Sequence, residues 1–204
     1  MPTNTHDELR RLLRERNEHP ERLADIDRRI GETFTHTHAV MVLDMSGFSR
    51  LTMRYGIIHF LAMIERMQEI VLPIVRAPAG GGRLVKFEAD NMFAVFPDTE
   101  PAVAAALKIH ERLDAANVVL PEDWDLHASI GIGYGDLLMV GDDDMYGNEM
   151  NLASKLGEDL GEAGDVLLTE AAFARLPPGR HPTERREQHI SGLALAYFSV
   201  PRPG

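Results

Sequence analysis

Apolar residues recur three or four positions apart near the N-terminus, which is the spacing of one face of an α-helix. They are Leu9, Leu12, Leu13, Leu23, Ile26 and Ile30. Pro20 separates the first three from the last three, and proline is favoured in the first turn of a helix. We therefore predict an N-terminal helical segment over residues 1–37, followed by a second segment over residues 38–204.

From position 38 the pattern changes to short apolar runs. Residues 39–44 form a run that ends in Asp44 and is typical of a buried strand. The pair Ser46-Gly47 opens a long helical pattern that reaches Ile74, with Pro73 near its end. Residues 84–88 and 92–96 then predict a hairpin around the turn at Asp90.

The rest of the chain continues this alternation. We predict helices over 102–115, 147–160 and 170–175, and strands over 127–135, 137–140, 166–169 and 195–200. The order from residue 38 is β-α-β-β-α-β with further elements after it, which predicts an α/β (α+β) fold with a ferredoxin-like core and a C-terminal extension. In that topology the first and third strands are antiparallel neighbours, so Asp44 is expected beside Asp90.

Composition limits the class of protein. The chain has 204 residues, of which 44% are hydrophobic and 26% charged, values of one ordinary globular domain. No apolar run approaches the roughly 18 residues of a membrane span, and the first residues lack the apolar core of a secretory signal. There is no cysteine, so thiolate metal sites and cysteine nucleophiles are excluded. We expect a cytoplasmic protein that does not bind membranes.

The formal net charge of −11 disfavours nucleic acid as a partner, because two anions repel each other. The same charge is unfavourable for a nucleotide unless local positive charge is supplied. Divalent metal ions are the usual source of that charge. Acidity therefore favours a metal-assisted nucleotide site over an unassisted one.

Asp44 and Asp90 are the first candidates for such a site. Two neighbouring carboxylates repel each other unless a proton or a cation lies between them, and Mg²⁺ or Mn²⁺ commonly bridges carboxylates to phosphates. The turn at Gly47, Phe48 and Ser49 leads into a helix N-terminus, whose free N–H groups favour phosphate. The alternative is that Asp44 is a helix cap and Asp90 a turn residue. Spacing alone leaves both interpretations open.

Four stretches of the sequence resemble the class III nucleotide cyclase catalytic domain, over most of the chain from about residue 38 to 200. They are Val42 to Phe48 (VLDMSGF), Gly82 to Phe96 (GRLVKFEADNMFAVF), Ile130 to Gly135 (IGIGYG) and Asp144 to Lys155 (DMYGNEMNLASK). The resemblance implies the class III cyclase fold. It also implies two divalent ions, Mg²⁺ or Mn²⁺, held by Asp44, Asp90 and the main-chain carbonyl of Met45.

The resemblance assigns the remaining roles residue by residue. Lys86 and Asp144 match the pair that reads adenine, and a lysine can donate to the ring nitrogen while an aspartate accepts from the amino group. Asn151 matches the asparagine that orients the ribose. Lys155 stands where the family usually has an arginine that stabilises the transition state. The family works as a dimer with sites at the interface, which implies a homodimer here.

Three departures from the family pattern bear on the rate of turnover. Lys155 replaces the planar arginine fork with a point charge, so a bidentate phosphate contact is lost. Ala89 stands where glycine usually precedes the second aspartate. The phosphate-binding lysine expected before the final strand is absent from residues 189–192.

The implied reaction is the conversion of ATP to 3′,5′-cyclic AMP and pyrophosphate, through attack of the 3′-hydroxyl on the α-phosphorus. Cyclisation of GTP, CTP or UTP is one alternative, and a nucleotide-binding regulatory domain with weakened catalysis is another. Other conspicuous residues have structural interpretations. We expect His36 and His38 in a polar linker, His110 in a core or interface, and the glycines of residues 131–135 at a close packing contact.

Overall fold

The computed structural model describes residues 3–121, 124–190 and 193–202, without the side chains of residues 48–51, 189, 190 and 193. Its elements in chain order are α1 (His6–Glu18), α2 (Leu23–Phe34), β1 (Thr35–Met45), α3 (Phe48–Tyr55), α4 (Ile57–Val75), β2 (Arg83–Glu88), β3 (Asn91–Phe96), α5 (Thr99–Asn117), β4 (Ala128–Val140), β5 (Asp144–Tyr146), α6 (Asn148–Ser154), a π-helical turn (Lys155–Leu160), β6 (Val166–Thr169), α7 (Glu170–Arg175), β7 (Glu184–Ile190) and β8 (Leu193–Ser199).

The strands form one mixed sheet in the order β2-β3-β1-β4-β6-β8-β7, with β5 paired to β4. β1 runs antiparallel to both β3 and β4, while β4 and β6 are parallel. The first four strands therefore have the predicted split arrangement, and the C-terminal strands extend the sheet beyond β4. The predicted fold class is confirmed.

The two faces of β1 bury different layers, because successive side chains of a strand point to opposite faces. Ala39, Met41 and Leu43 belong to the large cluster that packs against α4 and α5. Val40 and Val42 belong to a second cluster with residues of β2, β3, the β4–β5 hairpin and α6. The alternation places Asp44 on this second face, which we call the α6 face.

The long helix predicted after Gly47 is interrupted. α3 ends at Gly56, whose φ of 84° lies in the left-handed region that favours glycine, and α4 begins at the next residue. Pro73 lies inside α4 near its end, as the sequence indicates. The prediction of a single long helix was therefore wrong. Gly56 lies within a continuous apolar pattern, but it is the C-cap that ends α3.

The strands also differ from the prediction at several places. β1 begins at Thr35, so it includes His36 and His38, which were expected in a linker. The two strands predicted over 127–140 are one strand, β4. β5 and β7 were not predicted: β5 has three residues, and residues 184–188 of β7 are all exposed, which removes the apolar signal.

The N-terminal helices pack onto the sheet. Leu9 and Leu12 of α1 form a buried cluster with Ile26, Ile30 and Phe34 of α2 and with Val140 of β4. The hairpin of α1 and α2 thus shares its core with the end of β4, whereas a solvated appendage would bury no residue of the sheet. Within the described residues, no helix is both long and apolar enough to cross a membrane.

Candidate active site

Asp44 and Asp90 meet where β1 lies beside the β2–β3 turn. Asp44 is paired across the sheet with Asn91 of β3 on one side and Ser129 of β4 on the other. Asp90 immediately precedes Asn91, and Ala89 completes the turn with a φ of 53°, unusual for a residue other than glycine. The predicted proximity of the two aspartates follows from this register.

The surroundings of Asp44 are unfavourable for a bare carboxylate. Partial burial, together with the negative charges of Asp90 and Glu158, raises the pKa of Asp44 to about 7. Burial and nearby acids, first Asp159 and then Asp90 and Glu88, also raise the pKa of Glu158. This end of the α6 face therefore has an unbalanced concentration of negative charge.

These donors suit a hard divalent cation. Two carboxylates are available, and the side-chain oxygen of Asn91 is buried and has no hydrogen-bond donor among the described residues. Carboxylate and amide oxygens are the ligands that Mg²⁺ and Mn²⁺ prefer. Within the described residues no group of three or more histidine or carboxylate side chains is arranged to hold a metal ion. The aspartates thus supply part of a coordination shell, which main-chain and substrate oxygens could complete.

The chain turns into α3 directly after the first aspartate. Met45 is buried at the end of β1, and the amide of Ser46 donates to the carbonyl of His127. Gly47 precedes the helix with a φ of 94°, and no side chain that the structure describes caps the first turn of α3. The N–H groups of that turn are therefore open to an anion. The side chains of Phe48 and Ser49 lie outside the described residues.

Lys86 and Asp144 form the second group of site residues. Lys86 Nζ lies 3.0 Å from Asp144 Oδ1 and 5.4 Å from the ring centre of Phe93, on the α6 face. Burial alone would raise the pKa of Asp144, but hydrogen bonds from Tyr146, Lys86 and the Met145 amide lower it below its usual value. The pKa of Lys86 is raised, because its partners Asp144 and Glu88 outweigh burial. Both groups are therefore ionised at neutral pH.

The β4–β5 turn brings Asp144 to Lys86, although β2 and β5 are not paired in the sheet. Arg83 of β2 donates to the carbonyl of Asp142 at 3.0 Å. From the other side, Asn4 Oδ1 accepts from the amide of Gly141 at 2.8 Å, and His6 Nε2 lies 3.0 Å from Asp143 Oδ1. Both β2 and the N-terminus therefore contact the acidic turn.

Asn151 and Lys155 project from α6 and the start of the π-helical turn. Both are exposed, and the amide of Lys155 donates to the carbonyl of Asn151, so they lie one turn apart as predicted. Lys155 Nζ is 3.6 Å from Asp159 Oδ2 in a solvent-exposed pair. Such a pair constrains the side chain only weakly, so Lys155 is free to turn toward a ligand.

Glycines let α6 lie directly on the sheet. A methyl group on Gly131 of β4 would overlap the carbonyl oxygen of Ala153, and one on Gly157 would lie 3.1 Å from the carbonyl of Val42. The hydroxyl of Ser129 donates to the Gly157 carbonyl at 2.6 Å. The expected close packing at residues 131–135 is confirmed, and it brings Glu158 toward Asp44.

Two residues near the site were missed by sequence reasoning. Tyr146 donates its hydroxyl to Asp144 Oδ2 at 2.6 Å, and a strand period of two from Asp144 is the signal that could have found it. Glu158 follows Gly157 on the π-helical turn. Its position depends on the close approach of that turn to β1, which the sequence pattern does not reveal.

The histidines have structural surroundings. His110 is 2% exposed, and its Nε2 lies 3.3 Å from the carbonyl oxygen of Asp165, so the expected core position is confirmed. His36 and His38 lie in β1 with their rings stacked at 6.2 Å. Neither belongs to a metal-holding group among the described residues.

Curated relatives match about two thirds of this chain. No family model matches the chain. The chain is 30% identical over 132 residues, 65% of its length and 22% of the relative, to "Putative adenylate cyclase 3" of Rhizobium meliloti (strain 1021). It is also 30% identical over 128 residues to an uncharacterized protein of Mycobacterium tuberculosis (strain ATCC 25618 / H37Rv), covering 62% of the chain and 32% of that protein. The chain spans between 15% and 32% of the length of these curated relatives.

Some solved structures match this chain over almost their whole length. One is the adenylate/guanylate cyclase/hydrolase from Silicibacter pomeroyi, with a TM-score of 0.67, 24% identity and coverage of 82% of this chain and 98% of that one. Another is the catalytic core of a rhodopsin-guanylyl cyclase with converted specificity in complex with ATPalphaS, with a TM-score of 0.69 and 20% identity over the same shares. The chain therefore has the fold of the class III adenylate/guanylate cyclase catalytic domain.

Proposed function

We propose that this domain is a nucleotide cyclase that converts ATP to 3′,5′-cyclic AMP and pyrophosphate. The observation that carries the proposal is the 3.0 Å pair of Lys86 and Asp144, in which the lysine also lies over Phe93. The pair supplies one cationic donor and one anionic acceptor next to each other. Adenine offers the complementary arrangement, a ring-nitrogen acceptor beside an amino donor.

The charge at Asp44 and Asp90 supports a metal-assisted site. In the proposed site these carboxylates and the Met45 carbonyl hold Mg²⁺ or Mn²⁺, which neutralises the triphosphate and makes the 3′-hydroxyl more acidic. The open N–H groups at Gly47, Phe48 and Ser49 would contact phosphate oxygens. The acidic chain then has a local means of binding an anion.

Ribose and transition-state contacts are assigned to α6. Asn151 is exposed, so its amide can orient the ribose, and the exposed Lys155 can approach the α-phosphate as negative charge develops there. The 3′-hydroxyl attacks the α-phosphorus of its own nucleotide, and the bond to pyrophosphate breaks. Because nucleophile and electrophile share one molecule, the task of these residues is mainly positioning.

The proposed active form is a homodimer in which Asp44 and Asp90 of one subunit act with Lys86, Asp144, Asn151 and Lys155 of the other. Solved structures with the same fold include one described as a non-canonical dimeric guanylyl cyclase domain and one described as a guanylate cyclase domain in complex with GTP. Exposed apolar side chains on α3 and at the start of α4, Met53 at 88% and Ile58 at 82%, support an interface there. A twofold axis would repeat the site twice.

Weakened catalysis is a second candidate function, and Lys155 is the observation that favours it. Its ammonium group makes an exposed contact with Asp159 and lacks the planar fork that fits two phosphate oxygens. On this hypothesis the domain binds a nucleotide with metal but turns it over slowly, as a regulatory module.

The test is a product assay of the purified chain with ATP, GTP, CTP and UTP, each with Mg²⁺ and with Mn²⁺. We expect cyclic AMP to dominate, with activity lost in Asp44→Ala. Asp114→Ala is the matched control, since Asp114 pairs with Arg202 at the surface. If another cyclic nucleotide is the main product, the site selects the base of that nucleotide and not adenine.

Metal-dependent ATP binding without product, unchanged in Lys155→Arg, would select the regulatory module instead. Retained activity in Asp44→Ala would overturn the metal site.

A further inference from the structure

The carboxylate of Asp144 is held by more than its lysine partner. Oδ1 accepts from Lys86 Nζ at 3.0 Å and from the amide of Met145 at 2.9 Å. Oδ2 accepts from the hydroxyl of Tyr146 at 2.6 Å. These three donors come from β2, from the backbone of β5 and from a side chain two residues along β5.

The donors leave one favourable approach to the carboxylate. An ionised carboxyl group has about four lone-pair positions, two on each oxygen. Both positions on Oδ1 are used, and one of the two on Oδ2 is used by Tyr146. An amino group on a bound base would therefore find its acceptor at Oδ2, beside the Tyr146 hydroxyl.

Tyr146 is not in this position for packing. The residue is 47% exposed, whereas Met145 between the two is buried in the cluster of the α6 face. Asp144 and Tyr146 point to the same side of β5 because alternate residues share a face. A short bond to a charged acceptor is strong enough to orient the carboxylate about its terminal torsion.

The proton position also matters for the choice of base. Guanine presents a carbonyl oxygen where adenine presents an amino group. The Tyr146 proton is committed to Oδ2, so a carbonyl placed there meets an acceptor and finds no donor. With the hydroxyl removed, the carboxylate can rotate and a water can occupy the vacated place as a donor, which favours a carbonyl-bearing base.

We propose that Tyr146 is a specificity-determining residue, which positions the Asp144 carboxylate to accept an amino-bearing base and to reject a carbonyl-bearing one. This rests on the proposed function only in that the site takes a nucleotide base. It adds a third member to the Lys86–Asp144 pair.

The test compares Tyr146→Phe with the unaltered protein by calorimetric titration with ATP and with GTP in the presence of Mn²⁺. We expect the ratio of ATP affinity to GTP affinity to fall by about three- to tenfold in Tyr146→Phe, as loss of one charge-assisted hydrogen bond allows. Tyr197→Phe is the matched control, because Tyr197 carries its hydroxyl on β8 in a different cluster. Its ratio should not change.

An unchanged ratio in Tyr146→Phe would overturn the inference, and so would an equal loss of both affinities, which a purely structural role would produce. The product assay separates this result from the proposed function. A protein that binds ATP but forms no cyclic product overturns the cyclase and leaves the affinity ratio readable. A protein that binds neither nucleotide overturns both.

Discussion

Gly131 of β4 and Ala153 of α6 touch backbone to backbone, with no space for a side chain between them. A methyl group on Gly131 would lie 2.8 Å from the amide nitrogen of Gly157 and closer still to the carbonyl oxygen of Ala153. Both neighbours are main-chain atoms, so neither can move without shifting the helix. The position of α6, and with it Asn151 and Lys155, depends on this glycine.

Gly131→Ala is therefore expected to lower the free energy of unfolding by about 1–3 kcal/mol or more, the usual range for overpacking. Urea unfolding followed by circular dichroism would measure it. Gly31→Ala is the control, since its added methyl has no neighbour closer than 3.9 Å and the residue lies inside α2. That variant should be more stable by about 0.5–1 kcal/mol. Equal stability of Gly131→Ala and the parent would contradict the close contact.

The raised pKa of Asp44 predicts that the stability of the metal-free protein depends on pH. This pKa is about 7 in the folded state against 3.8 for an unperturbed aspartate, because burial and the charges of Asp90 and Glu158 disfavour ionisation. The folded protein binds its proton more tightly than the unfolded chain does. Stability from this group is therefore complete below pH 4, is lost as pH rises toward 7 and stays absent above. In the presence of a metal chelator, the Tm of the protein should fall as the pH rises from about 4 to about 7.

Asp44→Asn should weaken this loss and should melt at a higher temperature than the parent at pH 8 without metal. Adding Mn²⁺ at pH 8 should raise the Tm of the parent and not of the variant, because the cation replaces the missing countercharge. Asp114→Asn, on the surface, should behave as the parent in both conditions. A parent Tm that is insensitive to Mn²⁺ would contradict the assignment of Asp44.

Lys155→Arg tests whether the departure from arginine limits the rate. Two parallel N–H groups can contact two phosphate oxygens where an ammonium contacts one, so kcat should rise while KM changes little. Lys155→Ala should lower kcat by about 100-fold or more, the scale of a lost transition-state contact. Lys108→Arg, another exposed lysine paired with a nearby glutamate, should leave kcat unchanged. A fall in kcat for Lys155→Arg would show that the shorter cation is adapted to this site.

The proposed dimer predicts complementation between two inactive variants. Asp44→Ala removes a metal-binding residue and Lys86→Ala a base-reading residue, which the proposal places on opposite sides of the interface. An equal mixture should recover roughly a quarter of the parent activity, since half of the dimers are mixed and each has one intact site. Cyclic AMP formation by each variant alone and by the mixture measures this. No recovery after confirmed subunit exchange would place both residues in one subunit's site.

The central strands and the N-terminal helices could be predicted from the sequence, because each is marked by a local pattern of apolar residues. Short apolar runs located β1, β2 and β3, and the ferredoxin-like order alone placed Asp44 beside the β2–β3 turn. The register of Asp44 opposite Asn91 confirms that placement. Helical spacing found both N-terminal helices, whose buried faces follow Leu12 and Ile26.

The rest depends on contacts that no local pattern records. The break at Gly56 looks like one more residue of an amphipathic helix until its φ is known. β7 has five consecutive exposed residues, so it depends on pairing with β8 and not on burial. The bond from Tyr146 to Asp144 needs the short β5 strand, and the approach of Glu158 to Asp44 needs the glycine contact under α6. These are tertiary effects that override propensity.

The contacts at the β4–β5 turn connect the first helix to Asp144, the residue that reads the base in the proposed site. Asn4 and His6, at the start of α1, bind Gly141 and Asp143, and the next residue is Asp144. A displacement of α1 along its axis would pull on this turn directly, without first deforming the sheet. Leu12 of the same helix packs against Val140, which immediately precedes Gly141 of the turn. The buried contact of α1 and its polar contacts with the turn are therefore a few residues apart. In the proposed site, a movement of α1 would therefore reach the base-reading carboxylate of Asp144 through the β4–β5 turn.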